Sequence, residues 1–289
     1  MSKNPDTNDY IMVLDYAEGG NFNSWLNKNF INFDWVCKME TLFNIIEGLV
    51  KIHENNLVHH DFHTGNILFD DPILRTMDHG DTGDILIFIS DMGLCGEVEN
   101  VNKDNIYGIM PYVAPEVLCG KPYTQAADIY SFGMIMYFVA TGSQPFANHA
   151  HDNGLVNKIF NGIRPELNES EIPKFYIDLM RQCWDSNPEN RPKSDEILEL
   201  ISLIARPINK NNFEEKKREV TEQFKEADEY RKAQISSIIE NRQLNTHPQA
   251  VYTSRLLNPY TKDLFEQDKF KISDEIDFIS LVDNFEQKI

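Results

Sequence analysis

The feature of this sequence that most constrains its fold is a helix with no polar face. Residues 126–141, AADIYSFGMIMYFVAT, are apolar nearly all the way round a helical turn. A helix of this kind is stable only when other elements of a large core surround it. The sequence therefore predicts a globular domain that encloses this helix. At 289 residues, the chain can hold one sizeable domain with an appendage, or two small domains.

Charge and apolar patterning exclude several classes of partner. The 46 acidic residues outnumber the 27 basic ones, and the net charge of −19 repels nucleic acid and anionic lipid. The polar N-terminus, MSKNPDTNDY, is not a secretory signal, and the longest apolar run, from Gly133, is too short to span a bilayer. We therefore expect a soluble, cytoplasmic protein with no membrane span. Its four separated cysteines are expected to be free thiols: Cys37, Cys95, Cys119 and Cys183.

Periodicity predicts further helices and several short strands. Apolar residues recur at helical spacing from Trp35 to His53. Short apolar runs predict strands starting near Tyr10, at residues 66–69 and at residues 84–90. Additional helices are expected near 153–160, 174–184 and 194–204.

A charged segment follows these elements. Residues 206–212, RPINKNN, form a predicted linker, and residues 213–240 form a long, charged predicted helix. An apolar seam runs along this helix and is broken at Lys217 and Arg231. The helix either lies on the domain or offers this seam to a protein partner. The seam residues are Phe213, Val220, Phe224, Ala227 and Ile238.

The stretch LVHHDFHTGNILFDD, residues 57–71, concentrates polar side chains between apolar ones. A transition-metal site is one interpretation, because His60 and His63 are three residues apart. Zinc sites bring further ligands at recurring spacings, often cysteines, and none lies near. His53 and His59 are predicted at the end of a helix, facing different ways. These observations disfavour a metal cage.

Phosphoryl transfer is the alternative chemistry for this stretch. It needs an aspartate that orients the attacking hydroxyl, an asparagine that binds Mg²⁺ and a second carboxylate near the phosphates. Asp61 and Asn66 have the required separation, and Asp91 follows the predicted strand at 84–90. The pattern alone is not specific, since small-molecule phosphotransferases related to protein kinases share it.

Five motifs in order give the chain a resemblance to the eukaryotic protein kinase family. HHDFHTGN resembles the catalytic loop H-R-D-L-x-x-x-N, and DMG resembles the magnesium motif D-F-G. GIMPYVAPEVL resembles the end of an activation segment, and DIYSFGMIMY resembles the buried helix whose aspartate holds the catalytic loop. CWDSNPENRP is similar to a motif of tyrosine kinases and the tyrosine-kinase-like group. The last three motifs exclude a small-molecule phosphotransferase.

The resemblance implies an α+β fold. It consists of a mainly α-helical protein-kinase C-terminal lobe with short β-hairpins, followed by a charged helical tail. The corresponding domains are residues 1–205, the hinge and large lobe, and residues 206–289, the linker and tail. The resemblance also implies that Asp128 holds the catalytic-loop backbone and that Arg191 pairs with Glu116.

The resemblance further implies roles for the polar residues of the loop. Asp61 corresponds to the catalytic base, and His63 occupies the position of the catalytic-loop lysine of serine/threonine kinases. Asn66 and Asp91 correspond to the Mg²⁺ ligands. The implied reaction transfers the γ-phosphate of ATP to a protein hydroxyl, most consistently that of serine or threonine.

The hinge and the adenine site are implied by residues on either side of this loop. Leu14 corresponds to the gatekeeper, and the backbone of Asp15 and Ala17 to the adenine contacts. Asn21, next to this hinge, is also an expected ATP-binding residue, and Leu68 corresponds to the floor under the adenine ring. Core packing alone would also account for Leu14 and Leu68.

The sequence departs from the family before the hinge. No glycine precedes Gly19 and only Lys3 precedes the hinge, so these residues contain neither a glycine-rich loop nor a strand lysine. We interpret the chain as a truncated kinase and expect little or no phosphotransfer from residues 1–289. Each missing clamp on the phosphates costs on the order of a hundredfold in rate. The alternative is a pseudokinase or scaffold that binds protein partners without catalysis.

Further departures concern regulation and specificity. His60 replaces the catalytic-loop arginine that meets an activation-segment phosphate in kinases, and residues 91–116 contain no serine or threonine. We therefore expect that a kinase with its small lobe restored needs no serine or threonine phosphorylation within this segment for activity. Ile109 and His63 replace a threonine and a lysine of serine/threonine kinases, which leaves the choice between serine/threonine and tyrosine substrates open.

Overall fold

A computed structural model describes most of the chain. It covers residues 2–3, 7, 10–11, 16–70, 86–92, 96–97, 105–205, 214–244 and 246–261. The predicted hinge residues Leu14 and Asp15 and the predicted linker 206–212 lie outside the described residues.

Helices dominate the described residues, and the strands are short, as the α+β expectation required. The helices are α1 (Phe22–Asn29), α2 (Trp35–Glu54), α3 (Pro115–Leu118), α4 (Gln125–Thr141), α5 (Asn153–Phe160), α6 (Lys174–Cys183), α7 (Ser194–Ala205) and α8 (Glu214–Leu244). Short 3-10 turns lie at Phe30–Asn32, Thr64–Asn66, Met110–Tyr112 and Pro188–Asn190.

The strands form four small antiparallel sheets. They are β1 (Ser2–Lys3), β2 (Tyr10–Ile11), β3 (Gly20–Asn21), β4 (Leu57–Val58), β5 (Ile67–Phe69), β6 (Ile87–Ile89), β7 (Gly96–Glu97), β8 (Tyr107–Gly108) and β9 (Arg255–Leu256). The sheet orders are β1-β2, β3-β5-β6, β4-β7 and β8-β9. The predicted strands at 66–69 and 84–90 therefore pair with each other, although the second is shorter than expected.

The predicted all-apolar helix is α4, and it lies at the centre of the domain. Only four of its residues are not buried, namely Gln125, Ala126, Tyr137 and Thr141. Helix α6 packs against it, and the Tyr176 hydroxyl donates a hydrogen bond to the Met136 carbonyl at 2.6 Å. Helix α4 ends at Gly142, whose φ of 70° is in the left-handed region that glycine adopts without strain. The sequence pattern thus predicted both its bounds and its burial.

Helix α1 was not predicted from the sequence. It begins after Asn21, whose side chain caps it by accepting a hydrogen bond from the Ser24 amide at 3.0 Å. The Trp25 ring stacks on Phe69 of β5 with the ring centroids 4.4 Å apart. Helix α1 thereby covers the hairpin that follows the His-rich stretch. Its eight residues include three asparagines and a lysine, which hide the apolar face from a pattern search.

Helix α8 lies on the domain, which was one of the two expectations for the charged tail. The seam residues Phe224 and Ala227 are buried, and the Phe224 ring meets the edge of Trp35 in α2. Arg231 was predicted to interrupt this seam, and that prediction was wrong. Its guanidinium is buried and donates hydrogen bonds to the carbonyls of Phe30 and Ile31. Both bonds come from Nη2, whereas Nε is buried without a hydrogen-bond partner among the described residues. Arg231 therefore extends the contact.

The described cysteines Cys37, Cys119 and Cys183 are free thiols, as predicted, and Cys95 lies outside the described residues. Burial raises the pKa of Cys37 to about 12, so this thiol is not ionised at neutral pH. Within the described part of the chain, no helix is both long and apolar enough to cross a membrane.

The predicted pair of Arg191 and Glu116 is present and buried. The two terminal guanidinium nitrogens of Arg191 donate to the two carboxylate oxygens of Glu116 at 2.6 and 2.7 Å. Arg191 also donates to the carbonyls of Ala126 and Asp185 at 2.8 and 2.9 Å. One side chain therefore connects α3, the start of α4 and the turn before α7.

Replacing Arg191 with alanine should destabilise the domain strongly. The change leaves the Glu116 carboxylate buried without its partner, at a cost of about 3–5 kcal/mol. Thermal unfolding of Arg191→Ala and of Arg181→Ala measures this. Arg181 makes an exposed pair with Glu169, so Arg181→Ala is the matched control and should change stability by at most about 1 kcal/mol. Equal melting temperatures for the two variants would contradict a structural role for the buried pair.

Candidate active site

Asp128, in the first turn of α4, holds the backbone of the His-rich stretch. Its carboxylate accepts hydrogen bonds from the amides of His59 and His60 at 2.8 and 3.3 Å. His53 Nε2, at the end of α2, lies 3.1 Å from the same carboxylate. The carboxylate is buried, so these partners replace the water that it would otherwise bind. The implied role of Asp128 is therefore seen in the geometry.

The prediction that His53 and His59 face different ways at the end of a helix was wrong. Helix α2 ends at Glu54, and His59 lies beyond it, after β4. The chain then turns back, so that both residues contact Asp128. His60 takes a φ of 71°, a left-handed conformation that is costly for a residue with a Cβ. The bond from its amide to Asp128 helps to hold this turn.

His59 connects the loop to the end of β6, a role that sequence analysis missed. Its Nε2 lies 3.1 Å from the Ser90 carbonyl, so Nε2 is the nitrogen that donates. Its Nδ1 then accepts a hydrogen bond from the Asp61 amide at 3.3 Å. Burial lowers the pKa of His59, and the neutral ring fits this donor–acceptor pattern. No local sequence signal distinguishes this histidine from its neighbour His60.

Asp61 lies at the centre of the site, and only 5% of its surface is exposed. Burial raises the pKa of this carboxyl, but interactions with His63, Ser254 and His59 lower the pKa by more than burial raises it. The net pKa is below the ordinary value for aspartate, so Asp61 is ionised at neutral pH. A buried carboxylate of this kind can orient a hydroxyl group and accept its proton.

A backbone amide two residues further along the chain orients the His63 ring toward Asp61. Its Nδ1 accepts a hydrogen bond from the Gly65 amide at 2.9 Å, which caps the short turn Thr64–Asn66. The proton of a neutral ring is therefore on Nε2, which lies 3.4 Å from the nearer Asp61 oxygen. Nε2 therefore faces the carboxylate without forming a hydrogen bond of good geometry, and it has no other hydrogen-bond partner among the described residues.

Asn66 and Asp91 are connected through Ser90. The Asn66 amide nitrogen donates to the Asp61 carbonyl at 2.9 Å, which leaves its Oδ1 as the side-chain atom suited to a cation. Both the amide and the hydroxyl of Ser90 donate to the Asn66 carbonyl, at 2.8 and 3.1 Å. Asp91 follows directly, with an exposed side chain and a φ of 61°. Carboxylate and amide oxygens of this kind suit Mg²⁺.

The described residues of the predicted adenine site lie beside the sheet β3-β5-β6. Asn21 and Leu68 are paired across β3 and β5, and Ala17 is buried just before this sheet. Leu68 is partly exposed. The Oδ1 atom of Asn21 is already used in capping α1.

Removing the titratable group of His59 should flatten the pH dependence of stability. Because the folded pKa is lowered, the unfolded chain binds a proton below about pH 6.5 that the folded chain does not. This difference makes the parent less stable as the pH falls. In His59→Gln, the new side-chain amide can still donate to the Ser90 carbonyl and accept from the backbone amide of Asp61. This group does not titrate. The melting temperature of this variant should fall less steeply from about pH 7.5 to 5.5.

The buried His151 is a second source of the same effect, since burial lowers its pKa also. We therefore expect His59→Gln to remove part of the slope, and His59→Gln with His151→Gln to remove more. Parallel pH profiles for the parent and His59→Gln would contradict a neutral, buried His59.

Comparison with known proteins identifies the family. A family model described as the protein kinase domain matches residues 2–200. A probable serine/threonine-protein kinase of Dictyostelium discoideum is 29% identical over 223 residues, covering 71% of this chain and 14% of the relative. The serine/threonine-protein kinase STY46 of Arabidopsis thaliana is 26% identical over 211 residues, covering 71% of this chain and 34% of the relative.

A leucine-rich repeat serine/threonine-protein kinase of Mus musculus is 30% identical over 202 residues, covering 68% of this chain and 10% of the relative. The chain therefore spans about a third or less of the length of these relatives. The relatives' names do not support the tyrosine-kinase-like group specifically. Since the family model covers more than half of the residues and the site has the geometry described above, the chain belongs to the protein kinase family.

Proposed function

We propose that this chain forms the large lobe of a protein kinase that transfers the γ-phosphate of ATP to serine or threonine in a protein. The observation that carries this proposal is the ionised, buried carboxylate of Asp61 on a loop anchored by Asp128. Protein kinases place a base at this position for the attacking hydroxyl. The names of the similar proteins, all serine/threonine-protein kinases among those described above, support the choice of acceptor.

In this proposal Asp61 accepts the hydrogen bond of the substrate hydroxyl and takes up its proton as the phosphorus–oxygen bond forms. His63 acts as a positioning residue, because its Nε2–H faces the carboxylate and limits its rotation. Asn66 and Asp91 hold Mg²⁺, and their attachment through Ser90 sets their separation. When bound, Mg²⁺ neutralises charge on the phosphates.

The proposed nucleotide site lies at the start of the chain. The backbone of Asp15 and Ala17 contacts adenine, Leu14 is the gatekeeper and Leu68 lies under the ring. Asn21 borders this site. Its main contribution is to cap the N-terminus of α1, the helix that follows the hinge segment. The partial exposure of Leu68 on β5 is consistent with a ligand covering it.

The proposed division of the chain is residues 1–205 as the kinase unit and 206–289 as the tail. No glycine precedes Gly19 and only Lys3 precedes the hinge, whereas other kinases hold the phosphates with a glycine-rich loop and a lysine on a small-lobe strand. An activity test therefore uses the whole chain with a kinase small lobe joined ahead of Met1. The alternative function is a scaffold without catalysis, and it predicts no turnover even when the small lobe is joined to the chain.

Asp61→Asn and Asp91→Asn should separate the two proposed roles. Asp61→Asn should lower kcat by roughly 10²- to 10⁴-fold with little change in affinity for Mg²⁺ and ATP, because Asp61 acts on the hydroxyl. Asp91→Asn should weaken nucleotide binding as well, because it loses a metal ligand. Steady-state kinetics and calorimetric titration with the nucleotide measure these effects.

A third variant, Asp178→Asn, is the control, since Asp178 lies in an exposed pair with Lys174 on α6. It should match the parent in both measurements. Equal losses of nucleotide affinity in Asp61→Asn and Asp91→Asn would contradict the assigned roles, and absence of turnover in the parent would favour the scaffold.

A further inference from the structure

The chain that follows α8 returns to the active site. Strand β9 pairs antiparallel with β8, with Tyr107 opposite Leu256 and Gly108 opposite Arg255. The pairing continues beyond the strand, because the Leu257 amide donates to the Ile106 carbonyl at 2.7 Å. Strand β8 lies in the part of the chain that resembles a kinase activation segment. Residues 255–257 therefore bind this segment through their backbone, as an extended peptide binds a sheet edge.

Ser254, which precedes β9, lies at the catalytic carboxylate. Ser254 lies close enough to Asp61 for its hydroxyl to help lower the pKa of that carboxyl. An independent measure of position comes from Gly108, where an added Cβ would lie 3.4 Å from Asp61 Oδ1. Gly108 is opposite Arg255, the neighbour of Ser254, so the strand register itself brings Ser254 to Asp61. The rest of the Ser254 side chain is exposed and can be approached from solvent.

Residues on both sides of Ser254 are held by specific contacts. The Tyr252 hydroxyl donates to the Pro145 carbonyl at 2.9 Å, and the Arg255 guanidinium donates to the His151 carbonyl at 2.9 Å. Leu257 is completely buried. These contacts hold the residues two positions before the serine, one after and three after. They anchor the chain on both sides of Ser254.

Glycine is required at position 108 for this arrangement. Gly108 has a φ of 142°, and a Cβ there would approach a Val113 side-chain carbon to 2.8 Å. A larger residue would push β8 away from Asp61. The close approach of β8, and hence of β9, depends on this glycine.

We propose that Ser254 is a phospho-acceptor of this kinase in cis, and that residues 246–261 occupy the groove for the protein substrate. This inference rests on the proposed kinase function. The Ser254 oxygen attacks the γ-phosphorus of ATP, and its proton passes to the Asp61 carboxylate. The bond from the γ-phosphorus to the β–γ bridging oxygen breaks, and ADP leaves with that electron pair. The products are phosphoserine at 254 and ADP.

The modification changes the occupancy of the groove. A phosphate at Ser254 carries a charge of about −1.5 to −2 and would lie against the ionised Asp61. Repulsion between these groups releases residues 246–261 from β8. Before phosphorylation the segment competes with an added protein substrate, and after phosphorylation the groove is open. Ser254 phosphorylation therefore increases activity toward other proteins.

The first test measures occupancy and needs no catalysis. Hydrogen exchange of the Leu257 amide is compared in the 289-residue chain, in Ser254→Glu and in Thr253→Glu. Glutamate at 254 places a second carboxylate against Asp61, so exchange should quicken about tenfold or more. Thr253 is exposed, and Thr253→Glu is the matched control, which should exchange like the parent. Unchanged exchange in Ser254→Glu would overturn docking of the hydroxyl on Asp61.

The second test measures the modification. The whole chain, joined to a kinase small lobe, is incubated with Mg²⁺ and ATP beside myelin basic protein, and phosphate is mapped by mass spectrometry. We expect phosphate on Ser254 at a rate independent of protein concentration, lost in Ser254→Ala, retained as phosphothreonine in Ser254→Thr and unaffected in Thr253→Ala. Phosphate on myelin basic protein but not on Ser254 would overturn this inference and leave the proposed function intact.

A rate of Ser254 modification that rises with protein concentration would overturn transfer in cis. Phosphate on neither protein would overturn the proposed function, and Ser254 as acceptor with it, whereas the exchange measurement would still decide whether the segment occupies the groove.

Discussion

The buried carboxylate of Asp128 is the constraint on which the site depends. Helix α4 is buried on almost every side, and this places the charge of Asp128 where water cannot solvate it. Such a charge is stable only if donors surround it, and the amides of His59 and His60 supply them. The loop is therefore bent around Asp128 because the core requires it. The position of Asp61 follows, since it is the next residue along this bent backbone.

The histidines around Asp61 show how position in the fold divides one residue type into different roles. His53 donates to or accepts from side chains on α4 and α7, whereas His59 bridges the loop backbone and the end of β6. His63 points its Nε2 at the Asp61 carboxylate. The three rings do not form a shared metal site, because each ring contacts different partners. His63 and His59, together with Ser254, keep the pKa of Asp61 below its ordinary value although this carboxyl is buried.

The chain after residue 205 contributes to the same domain in two ways. Helix α8 buries Phe224 and Arg231 against α2 and the turn that follows α1, which covers a face of the large lobe. The segment after α8 then reaches β8, about 150 positions earlier in the chain, and pairs with it. If Ser254 is the acceptor that we propose, the tail is both a structural support and a substrate. The charge of a phosphate on Ser254 would release residues 246–261 from β8, whereas α8 would stay packed on the lobe.

The sequence by itself predicted the all-apolar helix α4 from a pattern of adjacent positions. The resemblance to protein kinases, carried by short motifs, implied the pair of Arg191 and Glu116 and singled out Asp61, Asn66 and Asp91 as site residues. The sequence did not reveal α1, whose apolar residues are too few to show a period, or the burial of Arg231, whose guanidinium donates to distant carbonyls. The bridge made by His59 and the contact of Ser254 with Asp61 were decided only by the tertiary structure. Sequence patterns report which side chains favour burial or carry a charge. Packing alone decides which of them meet, since partners far apart in the chain leave no local signal.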